Sequence, residues 1–298
     1  MLFGFLLMTS LLATAANAVT TVRVLTYNVY AKPDFSESRF TQERMDVLCD
    51  RLKSGTWDIV LLQEVWTKNH RARLSRCGYS YIMNLRTTGS TDREGNLGSG
   101  LLILSKFPLE KQQRKVLVRP SGLKAIFKHG ERIVRKSVYL ARARLPDGRA
   151  LWVANTHFVA NYCKSSDFSD CASYQKIRLL QLKQASKFLI EKTAGEPLVF
   201  GGDFNFGPHP VSDDRAWKEF GTHFANFTQA PFDPAVNTSC ASNTFKDHSN
   251  GKIDHVFVSK HLTPRDGALA LNDIITTRKG HQTHISDHYG WETTVDFP

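Results

Sequence analysis

The sequence predicts an α/β fold in which two β-sheets pack face to face with helices outside them. Three observations predict it. Short β-branched apolar runs recur along the chain, helical periodicity is confined to two long segments, and polar residues fall at the ends of the apolar runs. No internal repeat, low-complexity tract or long Pro/Gly/Ser linker interrupts the pattern, so residues 19–298 read as one continuous domain.

The elements follow in chain order. Residues 1–18, MLFGFLLMTSLLATAANA, carry no charged side chain and end in Ala16-Asn17-Ala18. A short apolar core before a small-x-small site reads as a secretory signal cleaved after Ala18, so the chain is expected to be secreted, or periplasmic if bacterial. No later segment approaches the ~20 residues of a membrane span. VTTVRVLTYNVY (19–30) is the first expected strand, and ESRFTQERMDVLCDRLKS (37–54) the first helix. WDIVLLQEVW, SGLLILSKF, KSVYLARARL and RALWVANTHF supply the next four strands. SYQKIRLLQLKQASKFLIEKT (173–193) is a second helix, capped by Ser173, with Ile177, Leu180, Ala185, Phe188 and Leu189 on one face. PLVFGGDFN, KIDHVFVSK and YGWETTVDF complete the strands.

Composition narrows the chemistry. A chain of this length buries roughly three-quarters of its potential surface, so its five cysteines are not needed as a scaffold. In an oxidising compartment Cys163–Cys171 is the expected pair, pinning a polar loop, with Cys49–Cys77 as a second pairing. The net charge of +11 concentrates between residues 111 and 149, where twelve Lys/Arg face only Glu131 and Asp147. Such a surface suits polyanions or anionic membranes, and charge alone does not choose between lipid and nucleic acid.

The polar residues at the strand ends carry the functional signal. Asn28 ends the first run, Glu64 the second, His157 the fifth, and Asp203 and Asn205 the sixth; Asp254 lies in the seventh, and Asp287-His288 precede the last. Singly, each has an ordinary role as a turn residue, a solvated strand exit or a core histidine. Together, strand ends that share one rim gather them into one cleft. Glu64 offers a hard oxygen ligand, and Asn28 and Asp287 can add oxygen contacts directly or through water, a set that suits Mg²⁺. Zinc is disfavoured, because no HExxH or CxxC spacing is present. Asp203, His157 and His288 supply acids and bases, and Asn205 a neutral donor to a phosphoryl oxygen. In PLVFGGDFN the period of a strand sends Phe204 into packing and turns Asp203 and Asn205 together towards the cleft, while Gly201-Gly202 leave room for a phosphate near the backbone.

The motifs TYNVY, LLQEVW, NTHF, GGDFN, KIDHVFV and SDH, in this order, resemble the signature of the endonuclease/exonuclease/phosphatase superfamily. They span residues 22 to 288; any one is weak, and six in order are a strong signal. The resemblance implies a four-layer α/β sandwich of two mostly antiparallel sheets, with one Mg²⁺-dependent phosphoesterase site. Within the superfamily the chain is most similar to the neutral sphingomyelinases, through NLGSGLLILSKFPLE, ANTHFVANYC and KHGERIVRKSVYLARARL. Lys136 then matches a substrate-proximal lysine. Asn161 stands where that group has Glu, and Arg135 where it often has Gly. The segment before SDH, DIITTRKGHQTHISDH, carries Ile274 and Ile275 but no aromatic.

What the resemblance implies is a sphingomyelin phosphodiesterase acting at a bilayer surface and releasing ceramide and phosphocholine. A nuclease or a phosphoinositide phosphatase of the same fold is the alternative. Glu64 would be the principal Mg²⁺ ligand, with Asn28 and Asp287 close by and Mn²⁺ or Co²⁺ as substitutes. Lys136 and Asn205 would meet the phosphate, and His157 would stabilise the transition state or protonate the leaving oxygen. The base is open between His288, oriented by Asp254, and Asp203. Trp66, Phe158 and Tyr162 lie near enough in sequence to line a choline site. No obligate protein partner is evident, and a monomer is expected.

Overall fold

The computed structural model describes residues 20–32, 40–85, 98–121, 131, 134–160, 168–208, 215–245 and 250–297. The signal segment lies outside them, and so do Cys163, Asn161 and Tyr162. In chain order the strands are β1 Thr20–Ala31, β2 Ile59–Val65, β3 Tyr81–Met83, β4 Leu102–Ser105, β5 Leu109–Val116, β6 Ser137–Arg144, β7 Ala150–His157, β8 Leu198–Asp203, β9 Phe227–Gln229, β10 Asp254–Ser259, β11 Thr263–Pro264, β12 Ala268–Ala270, β13 Ile274–Thr276, β14 Gln282–His284 and β15 Gly290–Phe297. The helices are α1 Thr41–Ser54, α2 Lys68–Leu74, α3 Phe168–Thr193 and α4 Arg215–His223. Among the described residues, one sheet runs β11-β15-β1-β2-β4-β3 with β12 also on β15, and the other runs β5-β6-β7-β8-β10-β9. Each has one parallel pair near its centre, β1–β2 and β7–β8, and antiparallel partners elsewhere.

Strand periodicity sorts the apolar side chains into layers. Val22 and Val24 of β1, Ile59 and Leu61 of β2, Val153 of β7, Val199 of β8 and Val256 of β10 meet between the sheets. The alternate residues Leu25, Tyr27, Val60 and Leu62 face Met45, Leu48 and Leu52 of α1. On the far side Trp152, Ala154, Phe200 and Phe257 pack on Leu182, Ala185 and Leu189 of α3 and Phe220 of α4. The result is the expected four layers, helix, sheet, sheet, helix, because each sheet has two apolar faces to cover.

Two details differ from expectation. The second helix begins at Phe168, upstream of Ser173. Leu180 is 40% exposed, while Tyr174, Arg178 and Gln181 turn inward. Gln181 explains part of this, since its amide receives the Val159 N–H at 2.9 Å and donates to the Val118 carbonyl at 2.8 Å, closing loop groups that an apolar side chain would leave unpaired.

Cys49 of α1 and Cys77, which follows α2, form a disulfide across a sequence separation of 28 residues. Closing a loop of that length stabilises the fold by about 3.5 kcal/mol on chain-entropy grounds. The double substitution Cys49→Ser/Cys77→Ser is therefore expected to lower the unfolding free energy by roughly 2–4 kcal/mol, read from the urea midpoint. An unchanged midpoint would show that the crosslink carries no stability.

Candidate active site

The alternation that builds the inter-sheet core also aims the polar strand ends. Asn28 continues the parity of Val22 and Val24, His157 that of Val153, Asp203 that of Val199, and Asp254 that of Val256. Each points between the sheets where the apolar rows run out. Because β10 and β15 run antiparallel to β8 and β1, their first residues meet the last residues of those strands. Asp254 pairs with Asp203, and Asp287-His288, just ahead of β15, join the same rim.

Asp203 sits at the centre. Its Oδ2 accepts the Asn28 amide at 2.9 Å and lies 3.4 Å from His157 Nε2 and 3.9 Å from His288 Nε2. Its Oδ1 accepts the Asn205 N–H at 2.9 Å. His288 Nδ1 meets Asp254 Oδ2 at 2.8 Å, which fixes the ring. Lys136 Nζ lies 2.8 Å from His157 Nε2 and 3.7 Å from Glu131. An ammonium only donates, so His157 Nε2 accepts there. Asp203, Asp254, His157, His288, Asp287, Asn28 and Lys136 are all buried, whereas Glu64 and Asn205 are half-exposed.

Burial governs the protonation states. It pushes the Asp203 carboxyl up to about 7, helped by the neighbouring Asp254 carboxylate and opposed by His288, Asn28 and Lys136. Burial, with the positive charges of Lys136 and His288, holds His157 well below the usual imidazole range. For His288 burial pulls downward, but Asp254 and then Asp203 outweigh it and hold the ring well above that range.

Glu64 and Asn205 both leave the strand period. On β2, Glu64 has the parity of Val60 and Leu62 and should face α1. The β1–β2 register slips between Asn28↔Gln63 and Ala31↔Val65, leaving two residues opposite one, with Tyr30 at φ 48° and Glu64 at φ 57°. This bulge re-aims both side chains. Asn205 likewise leaves the strand period at φ 52°, and its amide donates to the Phe158 carbonyl at 3.0 Å. Phe204 packs as expected, fully buried among Phe158, Phe200, Phe206 and Phe257. The Gly pair does not leave space for a ligand. A Cβ on Gly201 would stand 2.7 Å from Leu61 of the facing sheet, and one on Gly202 (φ 150°) would stand 2.1 Å from the Thr156 carbonyl oxygen. The glycines admit protein neighbours.

Glu64, Asp287 and Asn28 carry oxygen donors of the type that a hard divalent cation takes. Glu64 and Asp287 together already attract one cation, the Lys32 ammonium: burial lowers its proton affinity, yet Glu64, the Tyr30 hydroxyl and Asp287 raise it overall. Asp203, Asp254 and His288 form a second group, with ligand atoms within 4.8 Å of one another. The hydrogen bond from His288 Nδ1–H to Asp254 Oδ2 commits two of its atoms to each other, which suits proton handling.

Several supporting residues escaped the sequence reading. Gln63 donates to Asn155 Oδ1 at 2.8 Å across the sheets, and Asn155 donates to the Leu62 and Leu102 carbonyls at 2.9 and 3.0 Å. Arg44, fully buried in α1, holds the carbonyls of Val29, Tyr30 and Ile285. Ser286 Oγ lies 2.6 Å from the Asn28 carbonyl and 3.1 Å from Asp287 Oδ1. An amide inside each apolar run, in LLQEV and VANTH, was the available signal. Lys252 is also fully buried, donating to the Asp254 carbonyl with its ammonium 3.7 Å from the Trp291 ring centroid.

Residues 25–288 match the family described as the Endonuclease/Exonuclease/phosphatase family. The chain is 31% identical over 264 residues to the inositol phosphosphingolipids phospholipase C of Schizosaccharomyces pombe, an overlap of 81% of this chain and 58% of that one. It is 29% identical over 192 residues to mouse (Mus musculus) sphingomyelin phosphodiesterase 2, 63% of this chain and 42% of that one. It thus spans about half the length of the curated relatives it matches. The fold superposes on the beta toxin of Staphylococcus aureus with a TM-score of 0.71 at 17% identity, over 91% of this chain and 99% of that one.

Lys252 generates a pH-dependent expectation. Burial depresses its folded pKa to about 7, with Asp254 opposing. The cost of a charged ammonium in the core is then full below pH 7 and vanishes as pH rises past the unfolded value of ~10.4. Lys252→Met is expected to raise the melting temperature more at pH 6 than at pH 9, both in EDTA. An equal shift at both values would refute the assignment.

Proposed function

The chain belongs to the Endonuclease/Exonuclease/phosphatase family, and on that premise we propose that it hydrolyses the phosphodiester of a sphingophospholipid, releasing ceramide and a phosphorylated headgroup. The observation that carries this reading is the Asp203 carboxylate held within 4 Å of two histidines of opposite charge tendency. Asp287 acts on the same His288 ring, and Glu64 and Asp287 each attract the Lys32 ammonium. Names of relatives support the lipid class: one is an inositol phosphosphingolipids phospholipase C and another a sphingomyelin phosphodiesterase.

Glu64, Asp287 and Asn28 would hold Mg²⁺, with Mn²⁺ or Co²⁺ as substitutes. When bound, the ion would draw charge from the phosphoryl oxygens and lower the cost of the departing alkoxide. The protein's own groups divide the remaining work. A water in the gap between Asp203 Oδ2 and His288 Nε2 is aligned by the carboxylate and attacks phosphorus. Asp203, whose pKa burial raises to about 7, takes its proton at Oδ2, and the His288 imidazolium, held by Asp254 through Nδ1, steadies the water from Nε2. The new P–O bond forms as the bond to the ceramide oxygen breaks, and that oxygen takes a proton from solvent water. His157 orients Lys136 through Nε2, and the Lys136 ammonium and the second amide hydrogen of Asn205 meet the phosphoryl oxygens. The Cys49–Cys77 disulfide supports an oxidising compartment, in keeping with secretion after cleavage at Ala18.

The test is release of headgroup phosphate from sphingolipid vesicles by the purified protein in Mg²⁺. EDTA should abolish it. His288→Ala and Glu64→Gln should each lower the rate ~10²–10⁴-fold with the far-UV circular dichroism spectrum unchanged. Nicking of plasmid DNA without any headgroup release would overturn the lipid reading in favour of a nuclease.

A further inference from the structure

The Asp254–His288 pair spans the two sheets, since Asp254 opens β10 and His288 lies just ahead of β15. Asp254 Oδ2 meets His288 Nδ1 at 2.8 Å, and the ring's Nε2 then stands 3.9 Å from Asp203 Oδ2. The other oxygen, Asp254 Oδ1, is buried and has no hydrogen-bond partner among the described residues. No second donor aims the carboxylate, so its direction follows from where the Asp254 backbone is held.

On the β8 side the Ile253 carbonyl takes the ladder bond, from the Phe204 N–H at 2.9 Å, and Asp254 turns its own polar groups the other way. There the pairing with β9 reaches only Phe257, Val258 and Ser259, and the Ala230 N–H adds one bond to the Val256 carbonyl at 2.9 Å. At Asp254 two side chains stand where a strand would be. The Thr238 hydroxyl oxygen accepts the N–H groups of Ile253 and Asp254, each at 3.1 Å. The Lys252 ammonium donates to the Asp254 carbonyl. Both residues also reach the His288 side. The Thr238 carbonyl accepts the Tyr289 N–H at 2.7 Å, and the next residue, Ser239, pairs with both Gly251 and His288. The Lys252 ammonium lies 3.7 Å from the centroid of the Trp291 ring on β15. Thr238, Lys252 and Asp254 are all fully buried.

We propose that Thr238 and Lys252 are positioning residues for the reaction: they clamp the Asp254 backbone at its N–H and at its C=O, and so set the His288 ring against the attacking water. This rests on the hydrolytic reading above and adds to it two residues that touch no reacting atom. A buried N–H or C=O that loses its side-chain partner is costly, so the chain shifts to find another. Any such shift at Asp254 passes to the ring through the bond to Nδ1. Misplacing a reactive group by about 1 Å costs on the order of 10²-fold in rate. The clamp also gives a reason for a lysine in the core. Its partners are a carbonyl and an aromatic face rather than a carboxylate, and an aliphatic side chain would fill the same space without the cost of a buried charge.

The experiment reads the pair first without substrate and then with it. In EDTA, proton NMR records the downfield resonance of the His288 Nδ1–H bonded to Asp254, identified by its absence from His288→Gln. Thr238→Val and Lys252→Met should each shift or abolish it, and Thr238→Ser, which keeps the hydroxyl, should retain it. Kinetics in Mg²⁺ use vesicles of sphingomyelin or inositol phosphoceramide, whichever the wild type cleaves faster. Thr238→Val and Lys252→Met should lower kcat roughly 10–100-fold with little change in KM, and Thr238→Ser should stay near the wild type. Lys252→Met should slow the reaction while its melting temperature rises, a combination that poor folding does not give. If Thr238→Val fails to fold, Lys252→Met and Thr238→Ser still carry the test. A resonance and a kcat unchanged in Lys252→Met and Thr238→Val overturn the clamp, and so does a loss that Thr238→Ser shares. A wild type that releases headgroup from neither lipid overturns the hydrolytic reading instead, and the resonance, which needs no substrate, still decides whether the clamp places the pair.

Discussion

The two sheets are joined at their functional rim by buried polar contacts, and the site depends on that seam. Asn28 of β1 bonds Asp203 of β8, and Gln63 of β2 bonds Asn155 of β7. Each contact crosses the gap that valines and leucines fill lower down. Buried amides and carboxylates left unpaired would each cost roughly 1–3 kcal/mol, so the seam restricts how the sheets can slide. Asn155 is fully used, accepting from Gln63 and donating to two carbonyls of the opposite sheet. A relative shift of one residue would break all of these together and turn the reactive side chains out of the cleft.

On this base the chain leaves regular strand geometry at two strand ends near the rim. The bulge at Tyr30 and Glu64 takes a carboxylate off its strand's period, where the Trp66 Nε1 reaches it at 3.3 Å. The left-handed turn at Asn205 brings its backbone N–H to Asp203 and its amide to the Phe158 carbonyl. Non-glycine residues in that region cost of order 1–3 kcal/mol each and persist where neighbouring contacts over-determine them. Here those contacts are Arg44 on the carbonyls of Val29 and Tyr30, and Asp203 on Asn205.

The electrostatics follow from crowding in a dry cleft. Asp203 and Asp254 are neighbours across β8 and β10, so burial and mutual repulsion raise the proton affinity of Asp203, while the same two carboxylates hold His288 charged. Lys136 has the reverse effect on His157. Two imidazoles on one rim are thereby driven apart in character, one towards a neutral acceptor and the other towards an imidazolium. Lys32 sets its ammonium over the Tyr30 ring, and Lys252 lies buried against Trp291 with its proton affinity lowered. Acid and base roles arise from placement.

The layered fold was legible because period-2 apolar runs and two long amphipathic segments admit few arrangements. So was the set of strand-end residues: Asn28, Asp203, His157 and Asp254 keep the parity of the core residues behind them. Glu64 and Asn205 were legible as residues but not as directions, because a bulge and a left-handed turn carry no periodic signal. The glycine pair misled for a related reason, since what occupies the space above Gly201 and Gly202 is Leu61 of the other sheet and Thr156 of the neighbouring strand. The amides of Gln63 and Asn155, the ammonium of Lys32 over Tyr30 and the buried Lys252 were invisible for want of a partner in sequence. By itself the sequence determined which side chains reach the rim, because side-chain alternation is a local property of a strand. The tertiary structure decided which of them touch and which are charged, because contact and burial depend on strands far apart in the chain.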